Sequence, residues 1–117
     1  MGHIAMILRK PPYGDINAAE AVRHALGAAS GEWKVSLILV DGGVLLAKKG
    51  QDDTGTGFTN LEATLADCID MGVDVYADHL SLVEQSVRQE ELPAGIQVKN
   101  ESDIASILKA ADKAMLF

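Results

Sequence analysis

The stretch Leu37 to Gln51, LILVDGGVLLAKKGQ, constrains this chain more than any other. Leu37, Ile38, Leu39 and Val40 follow one another with no polar residue among them, and Asp41-Gly42-Gly43 ends the run. A strand wet on one face alternates apolar and polar side chains. A run without alternation reads as a parallel strand buried on both faces. The glycine pair allows a sharp turn into a short helix that opens its first-turn N–H groups. In an open parallel sheet such turns lie on the carboxyl edge, where ligands and partners bind. That edge is the expected working surface.

The rest of the chain repeats the alternation of strand and helix. Ile4 to Leu8 is a continuous apolar run, and Pro11-Pro12 forces an extended exit from it. Asn17 with Glu20 three residues later predicts a capping box. Ala18, Ala21, Val22, Ala25, Leu26 and Ala29 then recur at helical spacing, giving a nearly all-alanine face able to lie close to a sheet. Gly31 closes this helix, and Trp33 to Val40 forms the second strand. Gly50 to Gly57 reads as a surface loop, and Phe58, Leu61, Leu65, Cys68 and Ile69 mark the next helix, stopped at Gly72. Val73–Ala77 is a third strand, Leu80–Gln89 a helix, and Ile96–Val98 a fourth strand. A last helix starts at Asn100 with core face Ile104, Ile107, Leu108 and Ala111, and Lys113–Phe117 closes the sheet. The pattern predicts one α/β domain over 1–117, doubly wound, with a mainly parallel five-stranded sheet in the order 2-1-3-4-5 and helices on both faces.

Charge and cysteine content exclude several classes of function. A net charge of −7 without a basic stripe argues against a nucleic-acid surface. The lone Cys68 rules out an internal disulfide and fits a reducing compartment. The apolar run in MGHIAMILRK is too short to span a membrane and lacks a signal-peptide pattern, so the expected compartment is the cytoplasm. His3, His24 and His79 show no ligand-like spacing, and neither a metal nor a cofactor is expected.

Taken together, ILRKPPYG after the first strand, LVDGGVLLAKKGQ around the second, VYADHLSL around the third and the closing ADKAMLF resemble the DsrE/DsrF-like family, nearest its DsrF and TusC branch. The resemblance implies a doubly wound five-stranded sheet, a place in sulfur relay or intracellular sulfur oxidation, and assembly as trimers, hexamers or mixed complexes with sister subunits. It also implies a cysteine just after the third strand in sulfur-carrying members. Here that region reads Ala77-Asp78-His79, as in the branch that lacks the cysteine and serves as a partner subunit.

Four candidate sites follow. Cys68 is the only possible sulfur nucleophile, but it shares an apolar helical stripe, lies late in its helix, and has Asp67 and Asp70 beside it. A structural role is the better reading, with a persulfide carrier as the alternative. His79 beside Asp78, at the end of the third strand, could serve as acid, base or hydrogen-bond donor, or as a polar residue at a subunit contact. Arg9, Lys10 and Tyr13 converge with Asp41, Gly42 and Gly43 in the expected strand order, as an anion-binding edge or as a tight turn with an interface loop. Val44, Leu45, Leu46 and Ala47 crowd about one helical turn. Part of that ring should stay on the surface as a self-association face rimmed by Lys48, Lys49 and Asp52. Thr54 to Thr59 imitates a flavodoxin phosphate loop, and Asp53-Thr54-Gly55 an aspartic-protease triplet. Both stand in the wrong frame, and a capping loop is favoured.

The reading that results is an accessory or scaffold subunit of cytoplasmic sulfur trafficking that docks a cysteine-bearing partner and forms a homo-oligomer, a trimer or hexamer. Its rivals are a sulfurtransferase using Cys68 and a small-molecule module at the carboxyl edge.

Overall fold

The computed structural model describes residues 2–12, 16–48 and 61–117. Its elements are β1 (His3–Leu8), α1 (Asn17–Ser30), β2 (Lys34–Leu39), a 3-10 helix (Asp41–Ala47), α2 (Leu61–Asp70), β3 (Asp74–Asp78), α3 (His79–Glu84), β4 (Ile96–Lys99), α4 (Glu101–Ala110) and β5 (Lys113–Leu116). A second 3-10 turn, Gln89–Glu91, precedes β4. The expected loop from Gly50 to Gly57, Phe58, Tyr13, Lys49 and the Thr54–Thr59 segment lie outside the described residues.

All four strand pairings are parallel, and the five-stranded sheet has the expected doubly wound α/β character. The order of its strands is β4-β3-β2-β1-β5, which corrects the predicted 2-1-3-4-5. The reason lies in β2 itself. Val35 to Leu39 is buried at every position, whereas β5 is exposed at every position and β4 is at most half-buried. A strand apolar on both faces belongs inside the sheet, and the predicted order would have put it at an edge. The short, mixed strands take the edges instead.

Three right-handed crossovers place α1, α2 and α3 on one face of the sheet. There Met6, Leu8, Leu37, Leu39 and Val75 meet Ala18, Ala21, Val22, Ala25, Leu65 and Cys68 in the main core. The crossover after β4 returns over the whole sheet, so α4 lies alone on the other face. Ile104 packs there on Ala5 and Ile38, with Ile107, Leu108 and Ala111 beside it as predicted. Ser36, buried on this second face, is satisfied by the His3 ring at 2.8 Å.

Local signals held in part. Asn100 caps α4 by accepting the Asp103 N–H at 2.8 Å, and Gly72 ends α2 with φ at +94°. Asn17 is not a cap: it is the first residue of α1, and Ile16 precedes the helix without a side-chain cap. The Glu20 carboxylate bonds Arg23 instead of reaching back. The third helix is shorter than the sequence suggests, ending at Glu84.

The turn after β2 depends on a close approach more than on flexibility. The left-handed backbone falls on Asp41 (φ 50°), and neither glycine of the pair has positive φ. A Cβ on Gly42 would touch Pro11 Cδ at 3.2 Å, and one on Gly43 would collide with the Leu8 carbonyl. The Leu8 carbonyl already accepts the Val40 N–H at 3.0 Å, so neither partner can retreat. Gly43→Ala should therefore lower the unfolding free energy by about 1–3 kcal/mol or more, as over-packing at a rigid contact does. Urea denaturation measures it, and an unchanged midpoint would contradict the close approach.

Candidate functional site

The carboxyl edge is held together by a short chain of hydrogen bonds. The Asp78 carboxylate caps α3 by accepting the Ser81 N–H at 3.1 Å and the Ser81 hydroxyl at 2.7 Å. The same Ser81 oxygen accepts the Asp41 N–H at 2.9 Å. Ser81 is buried and so ties the exit of β2 to the start of α3. Gly42 and Gly43 in turn rest on the exit of β1. Sequence reading did not single out Ser81. The signal was the Asp78-x-x-Ser81 spacing, which has the geometry of a helix N-cap.

α3 and α4 start on opposite faces of the sheet, so β3 and β4 flank the point where the winding reverses. A cleft of about 330 Å³ opens there, lined by Asp78, His79, Leu80, Asn100 and Glu101. His79 is the first residue of α3 and is exposed. Two of the five lining residues, Asp78 and Glu101, are carboxylates, and Asp78 and Asn100 spend an oxygen each on capping. The cleft therefore suits a cationic or hydrogen-bond-donating group better than an anion.

The expected binding edge divides into two places. β2 lies between β1 and β3, so Arg9 and Lys10, both exposed at the exit of β1, are not neighbours of Asp78 and His79. Arg9 instead meets Gly42 through its main-chain carbonyl, 3.3 Å from where a Cβ would stand. Of the N–H groups that were to make an anion pocket, that of Asp41 is taken by Ser81 and that of Gly43 by Val40 at 2.8 Å. The tight turn thus accounts for the N–H groups of Asp41 and Gly43.

The apolar ring after that turn is mostly interior. Val44 and Leu46 have no exposed surface, Ala47 has almost none, and only Leu45 is half-buried. The expectation of a self-association face on Val44, Leu45 and Leu46 is corrected accordingly, because α2, α3, β2 and β3 enclose the 3-10 helix and bury two of the three in the main core. Lys48, expected on its rim, pairs with Glu91 at 3.4 Å. Lys49 and Asp52 lie outside the described residues.

Cys68 is fully buried between α1 and α2, with its Sγ–H donating to the Val22 carbonyl at 3.5 Å. Among the described residues no His, Cys, Asp or Glu cluster of three could hold a metal ion, and no helix is long and apolar enough to cross a membrane.

Comparison with known proteins adds four relationships. A family model described as the DsrE/DsrF-like family matches residues 2–117. The chain is 32% identical over 109 residues to the intracellular sulfur oxidation protein DsrF of Allochromatium vinosum, covering 91% of this chain and 80% of that protein. It is 25% identical over 113 residues to the TusC homolog of Pseudomonas aeruginosa, covering 96% and 95%. In fold it is similar to the crystal structure of the ychN protein from E. coli, with a TM-score of 0.90, 22% identity and full coverage of both chains.

Burial pushes the Cys68 thiol up to about 11 from a usual value near 9, and the neighbouring Asp67 carboxylate adds to the rise. A thiol whose ionisation is suppressed only in the folded state stabilises the fold below pH 9. That contribution is lost as pH climbs from 9 towards 11, where the unfolded chain ionises and the folded one does not. Tyr76, raised chiefly by burial and then by Asp74, shares this alkaline limb. Cys68→Ala should reduce the slope of stability against pH in that window, by at most about 1.4 kcal/mol per pH unit. Chemical denaturation at a series of pH values reads it. Identical slopes in the two proteins would show that Cys68 ionises freely in the native state.

Proposed function

The chain belongs to the DsrE/DsrF-like family, and from that premise we propose that it is an accessory subunit of sulfur trafficking that docks a cysteine-bearing partner and does not itself carry sulfur. One observation supports this reading above the others. The single cysteine of the sequence is interior, and the third strand ends in Asp78-His79, where the family pattern of sulfur carriers requires a thiol. A persulfide forms on an accessible thiolate. Cys68 has no exposure, its thiol is held protonated, and its Sγ–H is engaged by the backbone of α1. Transfer through Cys68 would require α1 to part from α2 across the alanine-lined layer of the core.

The kinship with proteins named DsrF and TusC homolog supports the same assignment, since the resemblance places both in the branch without the carrier cysteine. On this reading the cleft at the end of β3 and β4 is a docking feature. The exposed His79 and Leu80 form its rim, and a partner's sulfur-bearing loop can approach there without meeting a competing nucleophile. Assembly with sister subunits or with further copies of itself, in the cytoplasm, completes the proposal.

The test offers the purified protein to a cysteine desulfurase with its substrate and reads intact mass before and after. The expected spectrum is unchanged, while a cysteine-bearing sister subunit in the same reaction gains sulfur. Stoichiometric sulfur on this chain, lost in Cys68→Ser, would overturn the accessory reading and make the protein a carrier.

A further inference from the structure

A second cleft, of about 220 Å³, opens between α2, the end of the 3-10 helix and the turn that precedes β4. All the described residues that line it are apolar except two, Glu62 and Asp70, and both of those are carboxylates. They stand eight residues apart near opposite ends of α2, which is about 12 Å along its axis. Ala66 lies midway between them on the same i, i+4 row, with Leu65 and Ile69 on the row beside it. The row thus reads carboxylate, methyl, carboxylate, and the short side chain in the middle leaves the cleft open.

The opposite wall is held in place. Lys48, which follows the 3-10 helix, pairs with Glu91 at 3.4 Å and ties that helix to the turn before β4. Gly95, with φ at +97°, brings the turn down onto α2, and a Cβ there would meet Ile69 Cγ2 at 2.9 Å. Packing therefore sets the width of the cleft. The stability of α2 does not ask for both carboxylates. Glu62 in the first turn complements the helix dipole, but Asp70 is the last residue, where negative charge is disfavoured and no basic residue of the last turn offsets it. Among the described residues no cationic side chain lies within ion-pair distance of Asp70.

We propose that this cleft binds a small linear diamine whose two ammonium groups stand about 12 Å apart on an apolar chain. The chain lies over Ala66, with Leu65 and Ile69 on one side and Leu46 and Pro93 on the other, and each ammonium group meets one carboxylate. Charge complementarity selects this class of ligand. An anion is repelled at both ends, and a monoamine answers only one carboxylate. A neutral apolar molecule would take water from both carboxylates and return no partner. Negative charge at the two ends and none between them fixes both the sign and the spacing of what can bind. The inference does not rest on the accessory-subunit reading and concerns a different part of the molecule.

Isothermal titration calorimetry at about 0.15 M salt, where attraction between distant exposed charges is screened, tests it with octamethylenediamine as the probe. The full chain should bind one equivalent. Tetramethylenediamine, too short to reach both carboxylates, and octylamine, with a single charge, should each bind about fivefold more weakly or worse. Glu62→Gln and Asp70→Asn should each weaken binding of the long diamine by about fivefold. Ala66→Phe fills the middle of the cleft without changing the charge, and should abolish the binding heat while the circular dichroism spectrum stays that of wild type. Asp67→Asn removes the same charge from an exposed position of α2 outside the cleft, and should leave affinity within about twofold. The cleft is not a diamine site if wild type shows no saturable binding, or if Asp67→Asn weakens binding as much as Asp70→Asn. Undiminished binding to Ala66→Phe overturns it equally, and none of these results touches the persulfide experiment.

Discussion

The carboxyl edge depends on how closely the exit of β2 approaches the exit of β1. The Leu8 carbonyl accepts the Val40 N–H, and the α-carbon of Gly43 rests against the same carbonyl group. Only a residue without a Cβ fits, so the chain is pinned at one point and must turn there. Asp41 absorbs the strain of that turn in a left-handed conformation, which an aspartate tolerates better than most residues. Its N–H is thereby presented to Ser81, and Ser81 in turn holds Asp78 and the first turn of α3. Where His79 stands, and which way Leu80 and Val83 face, follows from a backbone contact on the far side of β2.

The second organising constraint is the asymmetry of the two faces. The helices α1 to α3 and the 3-10 helix bury one side of the sheet thoroughly, while α4 alone serves the other. A single helix of ten residues cannot cover five strands. The second face therefore carries polar residues at the amino-terminal half of β1 and β2, where His3 and Ser36 satisfy each other. The long return of α4 also places the reversal of winding between β3 and β4. That is why the polar cleft lined by Asp78, His79 and Asn100 lies at an end of the sheet and not over its centre.

Most of the fold was legible in the residues because hydrophobic periodicity reports local burial. The elements, the core face of α4, the alanine face of α1 and the interior position of Cys68 all follow from spacing. The order of strands does not, since spacing says nothing about which strand lies beside which. Burial of β2 on both faces was visible in Leu37-Ile38-Leu39-Val40 and already argued against an edge position. The misplacement of β2 carried the binding edge with it, bringing Arg9 and His79 together on paper when a strand separates them. Val44 and Leu46 failed for a different reason. A lone helix would turn only one face towards the sheet, whereas the 3-10 segment is enclosed by α2, α3, β2 and β3 and buries most of its apolar ring. Ser81 was illegible without the fold, because its role needs Asp41, forty residues away, to be brought beside it.

The treatment of the lone cysteine also bears on what kind of protein the core can support. A carrier thiol has to be reached by a donor, ionised and then reached again by an acceptor, and each demand favours an exposed position with a positive environment. Cys68 meets none of them: it fills a small gap between α1 and α2, donates to a carbonyl, and has the Asp67 carboxylate beside it. The alanine face of α1 brings the two helices close, and in so thin a layer a thiol is sized as a hydrophobe. Making this cysteine reactive would mean loosening the layer that holds α1 to the sheet, so the packing that makes the domain stable is the same packing that keeps this thiol out of reach. The edge geometry remains fully built under that arrangement, with its capped helices, its open cleft and its exposed α3. A carboxyl edge that carries no cysteine fits the accessory role proposed above.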